Sequence, residues 1–335
     1  MSIRSRPMRP KDVRECVEIV AAHPIVGPRY GSAIANLAPA WLRLLSCNGF
    51  ASALVFEEEK AGSRILAVGA SVFVSDNFLR EVKTPPLFWF GPELATRVAR
   101  GNYSSVLSQK QTQLANSHSG LNLAVWHGCL RIEDIDRVEV WHKLMDAFLD
   151  HHSGFLLKEL VAQGESPQHL VGMRNTGGSL LKPADGCYGN LDEKDFFELV
   201  LEPHVIGLTR AMALKQPGSW ISTLFFYQPP RFGFSRSEQQ LLLSALSGRT
   251  DEELSDDLAI TLSAVKKTWR SAYDRVTASL PELMPGNSHM SEGSSKRGKD
   301  KKQHLIAYLR EHPQELRPVS RKLLRQRAAA GLSAI

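Results

Sequence analysis

The sequence has no long apolar run, and its first residues do not have the pattern expected of a secretion leader. Its most apolar stretch, Ile65 to Val74, covers ten residues, about half of what a membrane-spanning helix requires. Met1 to Pro10 contains three arginines and two prolines and leads into no apolar segment, which argues against a signal peptide. These absences predict a soluble, cytoplasmic protein with no membrane partner.

Close pairs of metal-ligating residues are also scarce. The four cysteines are far apart in the chain: Cys16, Cys47, Cys129 and Cys187. Zinc knuckles and redox pairs need cysteines a few positions apart. We therefore expect these four cysteines to be small, buried, apolar side chains. Adjacent His151 and His152 cannot both face one ion on a regular helix, and they predict a solvated helix end. We therefore expect no metal and no cofactor.

Positive charge is concentrated in the last third of the chain. Residues 234–335 carry 17 lysines and arginines against 12 acidic residues, a net charge of +5. Residues 1–233 carry 24 against 23. A basic region beside a nearly neutral one indicates a polyanionic partner for the basic region.

Strand and helix patterns mix in the first 228 residues. Arg64 to Val74 is rich in β-branched residues and predicts a strand, as does Ala51 to Phe56. Pro10 to Ala22 predicts a helix with its proline near the start. The other expected helices are 39–45, 103–116, 136–149 and 155–163, and the other strands are 2–9, 121–126, 169–173, 196–201 and 220–227.

Three short helices are predicted between Ser235 and Val276. Ser235 with Glu238, and Thr250 with Glu253, have the spacing of capping boxes, in which each side chain covers an amide at the helix start. Leu241, Leu242 and Ala245 share a face of the first helix, and Gly248 ends it. Leu254 and Leu258 form the stripe of the second, and Ile260 is expected to fill the space between helices.

The third helix separates an apolar face from a basic one. Thr261 caps it, and an apolar stripe follows at helical spacing: Leu262, Val265, Trp269, Ala272 and Val276. Polar and basic residues fill the rest of its first two turns. A recognition helix needs this division, because its N-terminal half must reach bases and phosphates while its back packs on the domain.

Phe234 to Val276 resembles the DNA-binding domain of LuxR-type transcriptional regulators. The match needs no gap over about 43 residues, and the family's markers fall on Glu238, Gly248, Leu254, Leu258, Ile260, Val265 and Lys266. The chain departs from the family pattern at Ser255, Ala264 and Thr268. The resemblance implies DNA contact by Lys266 and Lys267, with Ser263, Thr268 and Arg270 as neighbours, and double-stranded DNA as the partner, bound by a monomer or a homodimer.

The expected fold class is an α+β N-terminal region followed by an all-α helix-turn-helix domain and a basic helical tail. Residues 1–228 form the sensing or assembly domain, whose own ligand or protein partner the sequence leaves open. Residues 232–283 form the helix-turn-helix domain, 284–300 a linker rich in Pro, Gly, Ser and Lys, and 301–335 the tail. Basic residues dominate from the linker onward: Lys296, Arg297, Lys299, Lys301, Lys302, Arg310, Arg317, Arg321, Lys322, Arg325 and Arg327.

A second, fainter resemblance concerns the GCN5-related acetyltransferases. Ile3 to Val13 is similar to their opening strand and helix. Arg174 to Ser179 nearly matches their pyrophosphate loop, in which amides at a helix start hold coenzyme A phosphates. Ser179 replaces the final small residue, and Pro183 would break the helix that this loop needs. A glycine-rich surface loop is the favoured interpretation.

The leading hypothesis is a DNA-binding transcriptional regulator that is not an enzyme. The alternative is an acetyltransferase-like enzyme fused to a DNA-targeting module. A sigma-factor-like subunit is a third possibility, but it requires an upstream promoter-melting region rich in aromatic and basic residues, and none is recognisable.

Overall fold

The computed structural model describes residues 2–47, 49–59, 62–182, 187–189, 196–284, 294–320 and 322–323. The chain divides into two compact units, Met1–Phe226 (unit 1) and Tyr227–Ile335 (unit 2). No helix among these residues is both long enough and apolar enough to cross a membrane.

Unit 1 is built on a mixed sheet, so its α-helices and β-strands agree with the expected α+β class. In the described residues the sheet has eight strands in the order β1-β2-β3-β4-β5-β8-β6-β7. The strands are β1 Ile3–Arg6, β2 Phe50–Glu59, β3 Gly62–Val74, β4 Leu121–Leu130, β5 Leu157–Ala162, β6 Ser179–Lys182, β7 Cys187–Gly189 and β8 Ile206–Thr209.

β4 and β5 are parallel, whereas the other paired neighbours are antiparallel. Their pairing stops at Ala124 and Val161, although β4 continues to Leu130. The two strands therefore part near the middle of the sheet, because β5 ends at Ala162 while the last six residues of β4 continue without it.

Helices cover both faces of this sheet. They are α1 Val13–Ala22, α2 Val26–Tyr30, α3 Leu37–Leu44, α4 Asp76–Lys83, α5 Phe90–Ala99, α6 Gln109–Ser117, α7 Val138–His152, α8 Pro167–Asn175, α9 Phe196–Leu199 and α10 Arg210–Ala213. Because strand side chains alternate, Leu54 joins the core that holds Ile19 of α1, and Val55 joins the core that holds Leu144 of α7.

Four predicted elements of unit 1 were wrong. Residues 155–163, expected as a helix, contain strand β5, in which every residue but Lys158 is buried, as in a strand covered on both faces. Residues 169–173, expected as a strand, lie in α8, which begins with Ser166 as a cap and Pro167 in its first turn. Residues 196–201 begin with α9, and 220–227 contain the 3-10 helix Trp220–Phe225.

Unit 2 is helical: α11 Arg236–Ala245, α12 Asp251–Leu258, α13 Leu262–Ser279 and α14 Ser294–Glu311. The first three lie where the sequence pattern predicted helices. Both expected capping boxes are present, one between Ser235 and Glu238 and the other between Thr250 and Glu253. Thr261 caps α13 by accepting a hydrogen bond from the Ala264 amide.

α14 shares the core of the first three helices. Leu305 and Leu309 are buried together with Val265 and Trp269, and Leu316 belongs to the same core. The sequence placed a linker at 284–300 and a separate tail from 301. The structure differs, because the apolar face of this late helix covers the core that three short helices leave open. Residues 285–293, 321 and 324–335 lie outside the described residues.

Candidate functional site

A tight turn joins α12 to α13. The helices are separated by three residues, and the first of these, Ala259, has the left-handed backbone conformation (φ 52°). Ser255 Oγ donates a hydrogen bond of 2.5 Å to the Ile260 carbonyl and fixes the turn from inside α12. A turn of three to four residues is the usual connection between the two helices of a helix-turn-helix motif.

α13 presents a basic surface opposite its buried stripe. Val265, Trp269, Ala272 and Val276 are buried, as the helical spacing predicted. The side chains of Lys266, Lys267 and Arg270 are exposed, as is that of Ser263. Among the described residues, no carboxylate lies within ion-pair distance of these three cations. Their charge is therefore available to a partner from outside the unit.

The structure modifies two predictions made from the sequence about this surface. Thr268 is half-buried, and its hydroxyl donates to the Ala264 carbonyl at 2.9 Å, so its proton is already engaged within the helix. Ile260 was expected to fill the space between helices, but it is 38% exposed. Leu305 and Leu309 of α14 lie in the core instead.

A buried carboxylate holds α13 against α11. Glu238 accepts hydrogen bonds from the Ser235 amide (2.5 Å), the Ser271 hydroxyl (2.7 Å) and Arg275 Nε (3.2 Å). Burial opposes these bonds, but together the bonds and the nearby cation hold the pKa of Glu238 below its ordinary value. The ionised side chain thus fixes the orientation in which α13 presents its basic residues.

The surface of α12 is acidic. Its acids are Asp251, Glu252, Glu253, Asp256 and Asp257. Lys302 pairs with Asp251 at 2.9 Å, and Arg249 lies 3.8 Å from Glu253 and 3.3 Å from Asp257. Glu252 and Asp256 are exposed. Phosphates would be repelled by the exposed acids of this helix.

Several basic residues of the predicted tail have structural partners. Lys302 bonds to Asp251, Arg310 donates to the Leu246 carbonyl at 3.3 Å, and Arg317 is buried. Lys301 is half-buried and Lys322 is exposed. The other predicted tail cations lie outside the described side chains: Lys296, Arg297, Lys299, Arg321, Arg325 and Arg327.

Unit 1 contains a buried polar cluster that the sequence did not reveal. It lies where β4 and β5 part. Trp126 Nε1 donates to the Tyr30 hydroxyl (2.9 Å), which lies 2.6 Å from His127 Nε2, and His127 Nδ1 lies 2.7 Å from Glu165 Oε1. The Gly128 amide donates to the second carboxylate oxygen at 2.8 Å. Despite burial, these bonds and the nearby histidines lower the pKa of Glu165 to about 2.

The same cluster contains a possible donor set for a metal. One atom each of His127, Cys129 and Glu165 lies within 4.8 Å of the other two, and this set suits zinc. Each donor is already engaged, however. The imidazole and the carboxylate bond to each other, and the Cys129 thiol lies 3.7 Å from Glu165, with its pKa raised well above the ordinary value chiefly by burial. A closed hydrogen-bonded network accounts for the arrangement without an ion.

The prediction that the histidine pair at the end of α7 is solvated was partly wrong. His152 is buried rather than solvated: its Nε2 lies 2.8 Å from the Ser71 hydroxyl, and its Nδ1 lies 2.7 Å from the Phe148 carbonyl. His151 is half-buried, with Nδ1 2.5 Å from the Ala147 carbonyl. Both rings therefore bond inside the unit, because α7 packs on the sheet.

The glycine-rich segment from Arg174 to Ser179 does not open a helix. Its first two residues end α8 and Ser179 begins β6, so it offers no helix N-terminus to a pyrophosphate. The segment before α7, which does join a strand to a helix, contains acids rather than glycines: Glu133, Asp134 and Asp136.

Comparisons with known proteins give only distant structural likenesses. No protein family profile and no curated protein match the chain. Among solved structures, the crystal structure of "histone acetyltransferase HPA2 and related acetyltransferase" from Corynebacterium glutamicum matches with a TM-score of 0.33 and 11% identity. The match covers 62% of this chain and 95% of that chain. A likeness this distant carries no argument about fold or activity.

Proposed function

We propose that the protein is a transcriptional regulator that binds double-stranded DNA through unit 2, with the N-terminal half of α13 in the major groove. The observation that carries the proposal is the division of α13 between a buried apolar stripe and the exposed, unpaired cations Lys266, Lys267 and Arg270. The short turn at Ala259 and the resemblance to LuxR-type domains support it.

The distribution of charge gives the proposed complex an orientation. Lys266 and Lys267 lie in the second turn of α13, where a recognition helix contacts bases and phosphates. The acids of α12 exclude its exposed face from phosphate contact. DNA is therefore held mainly by α13, and the repulsion from α12 fixes which side of unit 2 faces the duplex.

We further propose that unit 1 has a regulatory rather than a catalytic role. An acetyltransferase-like enzyme needs a loop for the coenzyme A phosphates, and the expected Arg174 to Ser179 segment does not precede a helix. Saturable heat on titration of the full chain with acetyl-CoA would favour the enzyme instead.

DNA binding is tested with the full chain. Duplexes selected from a random pool supply the probe, and fluorescence anisotropy at fixed salt gives the affinity. Replacing Lys266 and Lys267 together with alanine should cost a few kcal/mol, or more than about thirtyfold in affinity. The matched control replaces exposed Lys11 and Lys110 of unit 1, which changes the net charge equally.

A second variant, expected to raise rather than lower the DNA affinity, complements this test. Neutralising the exposed acids with Glu252→Gln and Asp256→Asn should raise DNA affinity, because two repulsive charges beside α13 disappear. Unchanged affinity in the double lysine variant, with an unchanged melting temperature, would rule out α13 as the DNA-contacting helix.

A further inference from the structure

Unit 1 contains an apolar cavity of about 270 Å³. Its walls come from β4, β5, α7, α8 and the 3-10 helix Trp220–Phe225. The side chains that line most of it are apolar: Trp141, Met145, Phe148, Leu160, Met173 and Ile221. The volume is just below the range of about 300–1,000 Å³ that small-molecule pockets usually have.

The cavity lies beside the point where β4 and β5 stop pairing. Val125 is the first residue of β4 beyond its last pair with β5, and it lines the cavity together with Leu160 of β5. Ligands of open α/β sheets commonly bind in the crevice at the carboxyl ends of parallel strands. This cavity lies along the part of the sheet where the parallel pair ends.

A second, smaller chamber adjoins the first. Its volume is about 50 Å³, and it shares Val125, Trp141, Met145, Phe148 and His169 with the larger cavity. Most of its lining is apolar, and it adds the hydrogen-bonded pair of Ser71 and His152, together with His127. The combined space is therefore mostly apolar, with a hydroxyl and imidazole rings at one end.

His169 lies at the boundary between the two chambers. Its Nδ1 accepts a hydrogen bond from the Glu165 amide at 3.3 Å, and burial lowers the pKa of the ring. In the neutral ring the proton is then on Nε2. No acceptor among the described residues bonds that nitrogen. It is a donor available to a molecule in the cavity.

The lining carries no formal charge. Among the described residues that line the two chambers, none is a lysine, arginine, aspartate or glutamate. The lining therefore offers no cationic lysine or arginine with which a carboxylate or phosphate could pair, and burying an unpaired anion is costly.

We propose that unit 1 binds an uncharged, mostly apolar small molecule in this cavity, with one hydrogen-bond acceptor such as a carbonyl oxygen on His169 Nε2. The apolar body of the molecule contacts Trp141, Phe148 and Met173. The proposal concerns unit 1 alone and stands whether or not unit 2 binds DNA.

Calorimetric titration of the full chain with 2-octanone tests the proposal, because this probe joins an aliphatic chain to a single carbonyl acceptor. We expect saturable binding to one site, and at least tenfold weaker binding of octanoate at pH 7.5, where its carboxylate is charged. Absence of saturable heat with 2-octanone, or equal affinity for octanoate, would overturn the proposal.

Two variants locate the site. His169→Leu removes the donor and should weaken 2-octanone binding about tenfold, the usual value of one hydrogen bond, whereas His118→Leu at an exposed position should not. Trp220 lines the cavity and is 40% exposed. Trp220→Ala should therefore remove apolar contact and weaken 2-octanone binding about fivefold while the melting temperature holds. Wild-type affinity in both His169→Leu and Trp220→Ala would contradict the assigned site.

Discussion

The ammonium nitrogen of Lys302 lies 5.0 Å from the centroid of the Trp269 ring. The same nitrogen is 2.9 Å from Asp251 Oδ1 and 3.4 Å from the Arg249 carbonyl. One side chain of α14 thus contacts α12 and the central aromatic residue of α13. A basic residue that the sequence assigned to a separate tail holds the proposed DNA-binding helices together.

Trp269 is expected to be essential to the stability of unit 2. It is only 4% exposed and belongs to the core, so Trp269→Ala should cost about 3–5 kcal/mol. Lys302→Met keeps the aliphatic packing but removes the cation, and should cost about 1 kcal/mol or less, since its ion pair is partly solvated. Urea unfolding followed by circular dichroism measures both. Near-wild-type stability of Trp269→Ala would show that the helix packing described here is wrong.

Truncation separates the structural part of the C-terminal region from any part that contacts DNA. A chain ending at Leu283 lacks three buried leucines of the core, Leu305, Leu309 and Leu316. Each such side chain contributes about 2–5 kcal/mol, so we expect unit 2 to unfold at room temperature. Normal helicity and DNA affinity in this chain would show that α14 is dispensable.

A chain ending at Ser320 keeps those leucines and removes four cations: Arg321, Lys322, Arg325 and Arg327. It should fold normally. If these residues contact phosphates, the log–log salt dependence of DNA affinity should flatten by about one unit for each lost contact. Sequence preference should survive, because phosphates carry no base information. An identical slope would exclude this segment from the DNA interface.

Stability should fall as the pH drops below about 6.5. Burial lowers the pKa of His204 from 6.5 to about 4, and its neutral ring accepts from the Gly164 amide at 3.1 Å. The unfolded chain takes up this proton near pH 6.5 and the folded chain only near pH 4. The stabilisation is therefore complete above pH 6.5 and is lost as the pH falls toward 4, by about 2–3 kcal/mol at pH 4.5.

The pKa values of His23 and His169 are also lowered by burial, so they add to the same trend. Urea unfolding at intervals from pH 7.5 to 4.5 measures the slope, and His204→Gln should flatten it. Exposed His118→Gln is the control. A wild-type slope in the His204→Gln variant, as in the His118→Gln control, would contradict this expectation.

Local signals in the sequence determined the first three helices of unit 2. Capping boxes join residues three positions apart, and the apolar stripe of α13 repeats every three or four residues. Such interactions form within a few residues of each other, so the sequence specifies them before any tertiary contact exists. Neighbouring residues likewise indicated two strands at 51–56 and 64–74, which lie within β2 and β3.

Contacts between distant parts of the chain decided the rest. Leu157 to Ala162 is a strand because β4 and β8 supply its hydrogen bonds, whereas the pattern of its side chains alone fits a helix equally well. His127 and Glu165 are 38 positions apart, and only the pairing of β4 with β5 brings them together. Leu305 and Leu309 join the core of unit 2 because three short helices leave apolar surface exposed. No pattern within residues 301–310 shows that these leucines pack on the three short helices, since their burial depends on the surface that the rest of the folded chain offers.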